Sequence, residues 1–167
     1  IDIDLVTDFI LGQPDEKNAS YVIECLNGAA DFAYKENLTL VTGPINKKII
    51  RSQISDFSGH TEYWKKKFHS EDVLMLLANN LLKIGVATTH IPLKEVPQMI
   101  TKDLIISKCR LLNQGLKDVY GLDKPKIAVL GLNPHSGENG EYGNEEIESI
   151  KPAIEDLKNE GLNLFGP

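Results

Sequence analysis

Two kinds of apolar pattern alternate along the chain. Residues 20–36 place Val22, Leu26, Ala29, Ala30 and Ala33 on one stripe, the spacing of an amphipathic helix, with Ser20 as its expected N-cap. Leu38 to Thr42 (LTLVT) is a short apolar run that predicts a buried strand. Gly43-Pro44 breaks it, and Pro44 suits the first turn of a helix reaching about Arg51. Residues 52–70 are polar and irregular. Val73 to Ala78 is apolar throughout and fits either a strand or a short buried helix. Asn79-Asn80 predicts a turn, Leu82 to Thr89 a second strand ending at His90, and Pro92 and Pro97 a loop.

The clearest helix starts from Thr101 as N-cap. Its stripe is Ile105, Cys109, Leu112, Leu116 and Val119, and Gly121 stands at its stop. Lys126 to Leu132 (KIAVLGL) is a strand of the buried kind. A loop follows from Asn133 to Asn144, punctuated by Pro134, Gly137, Gly140 and Gly143. A last helix begins near Asn144, where Glu145 and Glu146 meet its positive N-terminus. Ile147, Ile150, Ile154 and Leu157 form its expected core stripe, and Gly161 ends it. Buried strands alternating with amphipathic helices predict an α/β domain, layered α/β/α, with a mostly parallel sheet.

Composition narrows the function. The 167 residues include 18 Lys plus Arg and 24 Asp plus Glu, a net charge of −6. That balance argues against nucleic acid or a membrane surface as partner, because both need a basic face. No apolar run approaches the roughly 18 residues of a membrane span. Cys25 and Cys109 make neither a disulfide framework nor a zinc ribbon and read as small buried hydrophobes. No secretory signal is visible, and a cytoplasmic location is expected. The chain starts at Ile1 in mid-pattern and stops at Gly166-Pro167, so it reads as a piece of a larger protein.

The candidate chemistry gathers at histidines. His60, His90 and His135 sit in Gly- or Pro-bearing loops, whereas His69 has no supporting context. His90 and His135 each fall at or just beyond the carboxyl end of an expected strand, where open α/β sheets bind ligands. Two neutral imidazoles there could share a divalent metal, although their spacing matches no compact metal motif. Gly59-His60-Thr61-Glu62 sets an imidazole beside a hydroxyl, a pair able to hydrogen-bond a phosphate or carboxylate, or simply to form a turn. Lys47, in Thr42-Gly43-Pro44-Ile45-Asn46-Lys47, could face an anion or only solvent. Lys65-Lys66-Lys67 reads as a solvated face with Tyr63 and Trp64 packed beneath it.

Four ordered segments, VTGPINK (41–47), GHTE (59–62), TTHIPLKEV (88–96) and LGLNPHSGENGEYGNEE (130–146), resemble the 4-hydroxythreonine-4-phosphate dehydrogenase family. The resemblance runs from about residue 20 to the C-terminus, with Ser136 where alanine is usual. It implies a fold like that of isocitrate and isopropylmalate dehydrogenases and a homodimer with active sites at the subunit interface. It also implies oxidation of 4-(phosphooxy)-L-threonine by NAD or NADP with a divalent metal (zinc, magnesium or cobalt). The 3-oxo acid would then lose CO2 to give 3-amino-2-oxopropyl phosphate, on the route to pyridoxal phosphate. The family's substrate-binding pair falls on His60 and Thr61, and two of its three metal histidines fall on His90 and His135, the third lying beyond Pro167. No residue presents itself as general base or as a nucleotide contact. Two alternatives remain open: a paralogous dehydrogenase of a four-carbon sugar-acid phosphate such as erythronate or threonate 4-phosphate, and an inactive fragment.

Overall fold

The computed structural model describes residues 3–5, 8 and 10–167, which fall into two compact units, 1–69 and 70–167. The first unit is helical. α1 (Ala19–Lys35) follows a short 3-10 turn, so the helix begins at Ala19 with Asn18 at the cap position, two residues ahead of Ser20. Its stripe packs through Leu26 against Ile50 of α2 (Lys47–Arg51) and against Phe57. α2 starts three residues after Pro44, because the Asn46 side chain accepts from the Lys48 and Ile49 amides and sets the first turn there. α3 (His60–Lys67) lies inside the stretch that reads as irregular, and its Tyr63 and Trp64 pack on the same small core.

The expected strand at 38–42 does not form. Its apolar character is that of a buried strand, but no described residue gives it a ladder partner, and Val41 is 88% exposed. A strand without a hydrogen-bonded neighbour has no reason to hold its pleat.

The second unit is α/β. β1 (Met75–Ala78) and β2 (Lys83–Val86) form an antiparallel hairpin with Met75 opposite Val86. After α4 (Val96–Met99), Thr101 caps α5 (Lys102–Asp118), as its side chain accepts from the Leu104 amide. β3 (Lys126–Ala128) pairs in parallel with β4 (Asn163–Phe165), and α6 (Lys151–Asn159) lies in the crossover between them. Ile105, Cys109 and Leu116 of α5 meet Ala153, Ile154 and Leu157 of α6, with Ile127 and Leu164 of the parallel pair, in one buried core. No described helix is long and apolar enough to cross a membrane.

Helices and strands alternate as an α/β chain should, but a mostly parallel sheet is not what the described strands make. Two separate two-stranded sheets form, one antiparallel and one parallel. The hairpin has a local cause. Only residues 79–82 join β1 to β2, and a connection that short forces antiparallel strands, since a parallel pair needs a crossover of a dozen or more residues. Asn79 tightens the turn by accepting from the Leu81 and Leu82 amides. A π-turn over Glu146–Ile150 precedes α6 and adds a residue to the winding. It turns Ile147 outward, 45% exposed, and puts Glu146 inside at 0%.

Asp72 ties the hairpin to α5. Its carboxylate accepts from Lys108 Nζ at 2.6 Å and from Ser107 Oγ at 2.6 Å, while Lys108 also donates to the Val73 carbonyl at 2.7 Å. Partial burial pushes the Asp72 carboxyl up, but the hydrogen bonds from Lys108, Ser107 and the Val73 amide outweigh it and bring the group from 3.8 to about 2. A depressed acid stabilises the fold above its unfolded pKa, and that stability is lost as pH falls through the folded one. Asp72→Asn should therefore cost on the order of 2 kcal/mol at pH 7. The gap from wild type should close as pH drops from about 4 to 2, and denaturant titrations across that range check both statements.

Candidate functional site

In the first unit, two of the singled-out segments converge at one glycine. Asn46 caps α2 and so places Lys47 at its first position, while buried Ile50 on the same helix anchors it to the small core. Gly59 is extended and leads directly into α3. A Cβ at Gly59 would lie 3.2 Å from Glu62 Oε2 and 3.6 Å from Lys47 Nζ, so both charged groups reach the same point from different helices. His60 Nε2 and Glu62 Oε2 are buried there without a hydrogen-bond partner. An unsatisfied buried polar atom costs about 1–3 kcal/mol, so the pair is built to receive a polar group. The His60 ring stacks at 6.0 Å on Trp64, and Tyr63 donates to Asn27 Oδ1 at 2.7 Å, which fixes the first turn of α3. Thr61 is half-buried beside them.

The lysine run is less solvated than its composition suggests. Lys66 pairs at the surface with Asp56, whereas Lys67 is 20% exposed and holds Asp31 at 2.7 Å. His69 is exposed, as expected of a histidine without context.

In the second unit, His90 and His135 are both exposed, and both sit on left-handed backbone, with φ 57° and 53°. His90 lies four residues past β2. His135 opens a turn in which five consecutive residues, His135 to Asn139, are left-handed. Such backbone costs a non-glycine residue roughly 1–2 kcal/mol, and four of the five carry a side chain. It persists only where its surroundings enforce it, as they do at functional sites.

Glu146 binds the segment that leads into this turn. Its Oε1 accepts from the Leu132 and Asn133 amides, both at 2.7 Å, and its Oε2 accepts from Asn133 Nδ2 at 2.9 Å. Asn133 Nδ2 also donates to Glu145 Oε2 at 2.7 Å. Burial alone would raise the Glu146 carboxyl, but the Asn133 side chain and the backbone amides hold it below the usual carboxylate range. The carboxylate therefore stays charged at neutral pH in a site closed to solvent. Gly137 makes room for it: a Cβ there would meet the Gly143 carbonyl at 2.7 Å and Glu146 Oε2 at 2.9 Å.

A divalent metal fits what the two exposed imidazoles offer. Neutral ring nitrogens suit zinc-like ions, and two histidines are two of the three protein ligands usual at a catalytic zinc. Among the described residues no three His, Cys, Asp or Glu side chains gather as a metal cluster. Sequence reasoning singled out His60, Thr61, His90 and His135 and passed over two things. The meeting of Lys47 with Glu62 depends on a helix that polar composition hid. Glu146 reads in the sequence only as an acid near a helix start.

Comparison with known proteins gives a consistent picture. The sequence model described as "Pyridoxal phosphate biosynthetic protein PdxA" matches residues 1–167. A 4-hydroxythreonine-4-phosphate dehydrogenase of Yersinia enterocolitica is 43% identical over 166 residues, 99% of this chain and 50% of that protein. A crystal structure of the Klebsiella pneumoniae 4-hydroxythreonine-4-phosphate dehydrogenase superposes with a TM-score of 0.85 at 30% identity, covering 93% of this chain and 47% of the other. A terephthalate 1,2-cis-dihydrodiol dehydrogenase from Burkholderia xenovorans shares the fold alone, at TM-score 0.72 and 22% identity. The chain spans about half the length of the curated relatives it matches.

The loop geometry makes a graded prediction about its glycines. Gly121 is left-handed at φ 66° with open space around it, so Gly121→Ala should cost only the backbone penalty, about 1 kcal/mol. Gly137→Ala adds two collisions to the same penalty and should cost at least about 3 kcal/mol. Equilibrium unfolding of the two variants side by side checks the order.

Proposed function

Because this chain belongs to the family of pyridoxal phosphate biosynthetic protein PdxA, we propose that the whole protein oxidises 4-(phosphooxy)-L-threonine with NAD or NADP and a divalent metal. The oxidised acid then loses CO2 to leave 3-amino-2-oxopropyl phosphate. The observation that carries this reading is the pair His90 and His135, two exposed imidazoles on left-handed backbone in loops that follow β2 and β3 of one α/β unit. Strain of that kind is retained where a side chain must point at a ligand.

His90 and His135 would hold the metal through their ring nitrogens. A bound metal would supply stabilisation of negative charge on the substrate oxygen, and a bound nicotinamide would supply the hydride acceptor. His60 and Thr61 bind and orient the substrate: the imidazole and hydroxyl hydrogen-bond its anionic groups and keep the reacting carbon in register. The unpartnered Nε2 of His60 supports that role, since a bound polar group would satisfy it. Lys47 contributes a positive charge beside the same glycine. A homodimer with its active sites at the subunit interface, in the cytoplasm, accompanies this reading.

In the full-length protein, His135→Ala should lose the bound metal and at least about 100-fold in kcat/KM. His60→Ala should keep the metal and raise KM about tenfold or more through a lost hydrogen bond to an anion. Metal analysis and NAD(P)+ reduction measure both. Full activity and metal content in His135→Ala would overturn the assignment. Running erythronate and threonate 4-phosphate alongside 4-(phosphooxy)-L-threonine fixes the substrate, and a higher kcat/KM on either sugar-acid phosphate would replace the one proposed.

A further inference from the structure

We propose that Glu146 is a positioning residue for the metal: its carboxylate holds the left-handed turn that presents His135. The inference rests on the metal-binding reading of His135 above. Three features carry it. First, Glu146 is fully buried, and both of its oxygens are spent on the segment just before the histidine, on Leu132, Asn133 backbone and Asn133 side chain. Second, the space it needs is provided by glycine. A Cβ at Gly131 would lie 3.1 Å from Glu146 Oε1, and one at Gly137 would lie 2.9 Å from Oε2, on either side of position 135. Third, the turn itself runs left-handed from His135 to Asn139 and starts from Asn133, whose carbonyl accepts from the Ser136 amide at 3.2 Å. What grips Asn133 therefore bears directly on the entry to the turn.

A carboxylate is needed for this grip, and an amide of the same shape does not replace it. All three hydrogen atoms that reach Glu146 come from donors, so the acceptor must offer lone pairs on both oxygens. In Glu146→Gln one oxygen becomes an NH2 group facing Asn133 Nδ2 or the two backbone amides, donor against donor. The turn then samples other conformations, and His135 spends less time where it can ligate. Freedom in a ligand's support lowers metal affinity, typically 10–100-fold, without removing a ligand.

The test is a titration of the metal-free, full-length protein with Co2+ alone, followed by calorimetry and by cobalt absorption, for wild type, Glu146→Gln and His135→Ala. Amide hydrogen exchange of the metal-free forms is measured in parallel. The expected result is Co2+ affinity about 10–100-fold weaker in Glu146→Gln. Protection should fall at Leu132 and Asn133 while the amides of α5 and α6 keep theirs. General destabilisation would instead lower protection throughout. If Glu146→Gln does not fold, Asn133→Ala, which removes only the side-chain half of the grip, takes its place under the same criteria. Co2+ affinity within twofold of wild type, with His135→Ala abolishing binding, overturns the role of Glu146. Undiminished binding in His135→Ala overturns the metal reading itself, and the inference with it.

Discussion

A single buried carboxylate grips the chain that leads into the longest left-handed run among the described residues. Glu146 sits with no solvent exposure and binds three donors from residues 132 and 133. A charge in that setting is tolerable only when its lone pairs are filled, and filling them draws the strand exit and the π-turn before α6 together. The left-handed run begins two residues beyond Asn133, at His135. The glycines around it are there to admit the carboxylate as much as to bend the backbone.

The same logic of short connections shapes the rest of the second unit. β1 and β2 are joined by four residues and so become a hairpin, while β3 and β4 are separated by a helix and so run parallel. The parallel pair carries the packed core, with α5 and α6 against it. The hairpin is tied to α5 by Asp72, Ser107 and Lys108, and its Leu77 and Ile84 remain well exposed. His90 and His135 leave from these two different sheets, each at a residue whose φ is positive.

Membership in the PdxA family and the geometry of the individual segments lead to one chemistry from two directions. The first unit offers buried polar atoms that lack partners, beside a lysine. The second offers exposed imidazoles on backbone that a relaxed chain would not adopt. Groups left unsatisfied or strained in a folded protein mark where binding free energy is later recovered.

Much of this was legible in the residues themselves. The stripes of α1, α5 and α6 and the Thr101 cap are local matters, set by spacing and side-chain type, and most of their positions fall where periodicity puts them, Val119, exposed just past the end of α5, and Ile147 excepted. Four ordered motifs sufficed to suggest the family and to single out His60, Thr61, His90 and His135. Other features needed three dimensions. Leu38 to Thr42 has a strand's composition and no strand, because a ladder requires a partner that pattern cannot supply. Ile147 and Glu146 exchanged inside for outside because a π-turn shifted the register by one residue. β4 is too short to show a period. The burial of Glu146 against residues more than ten positions away is a long-range event, and no local rule of spacing or propensity encodes which distant amides a carboxylate will find.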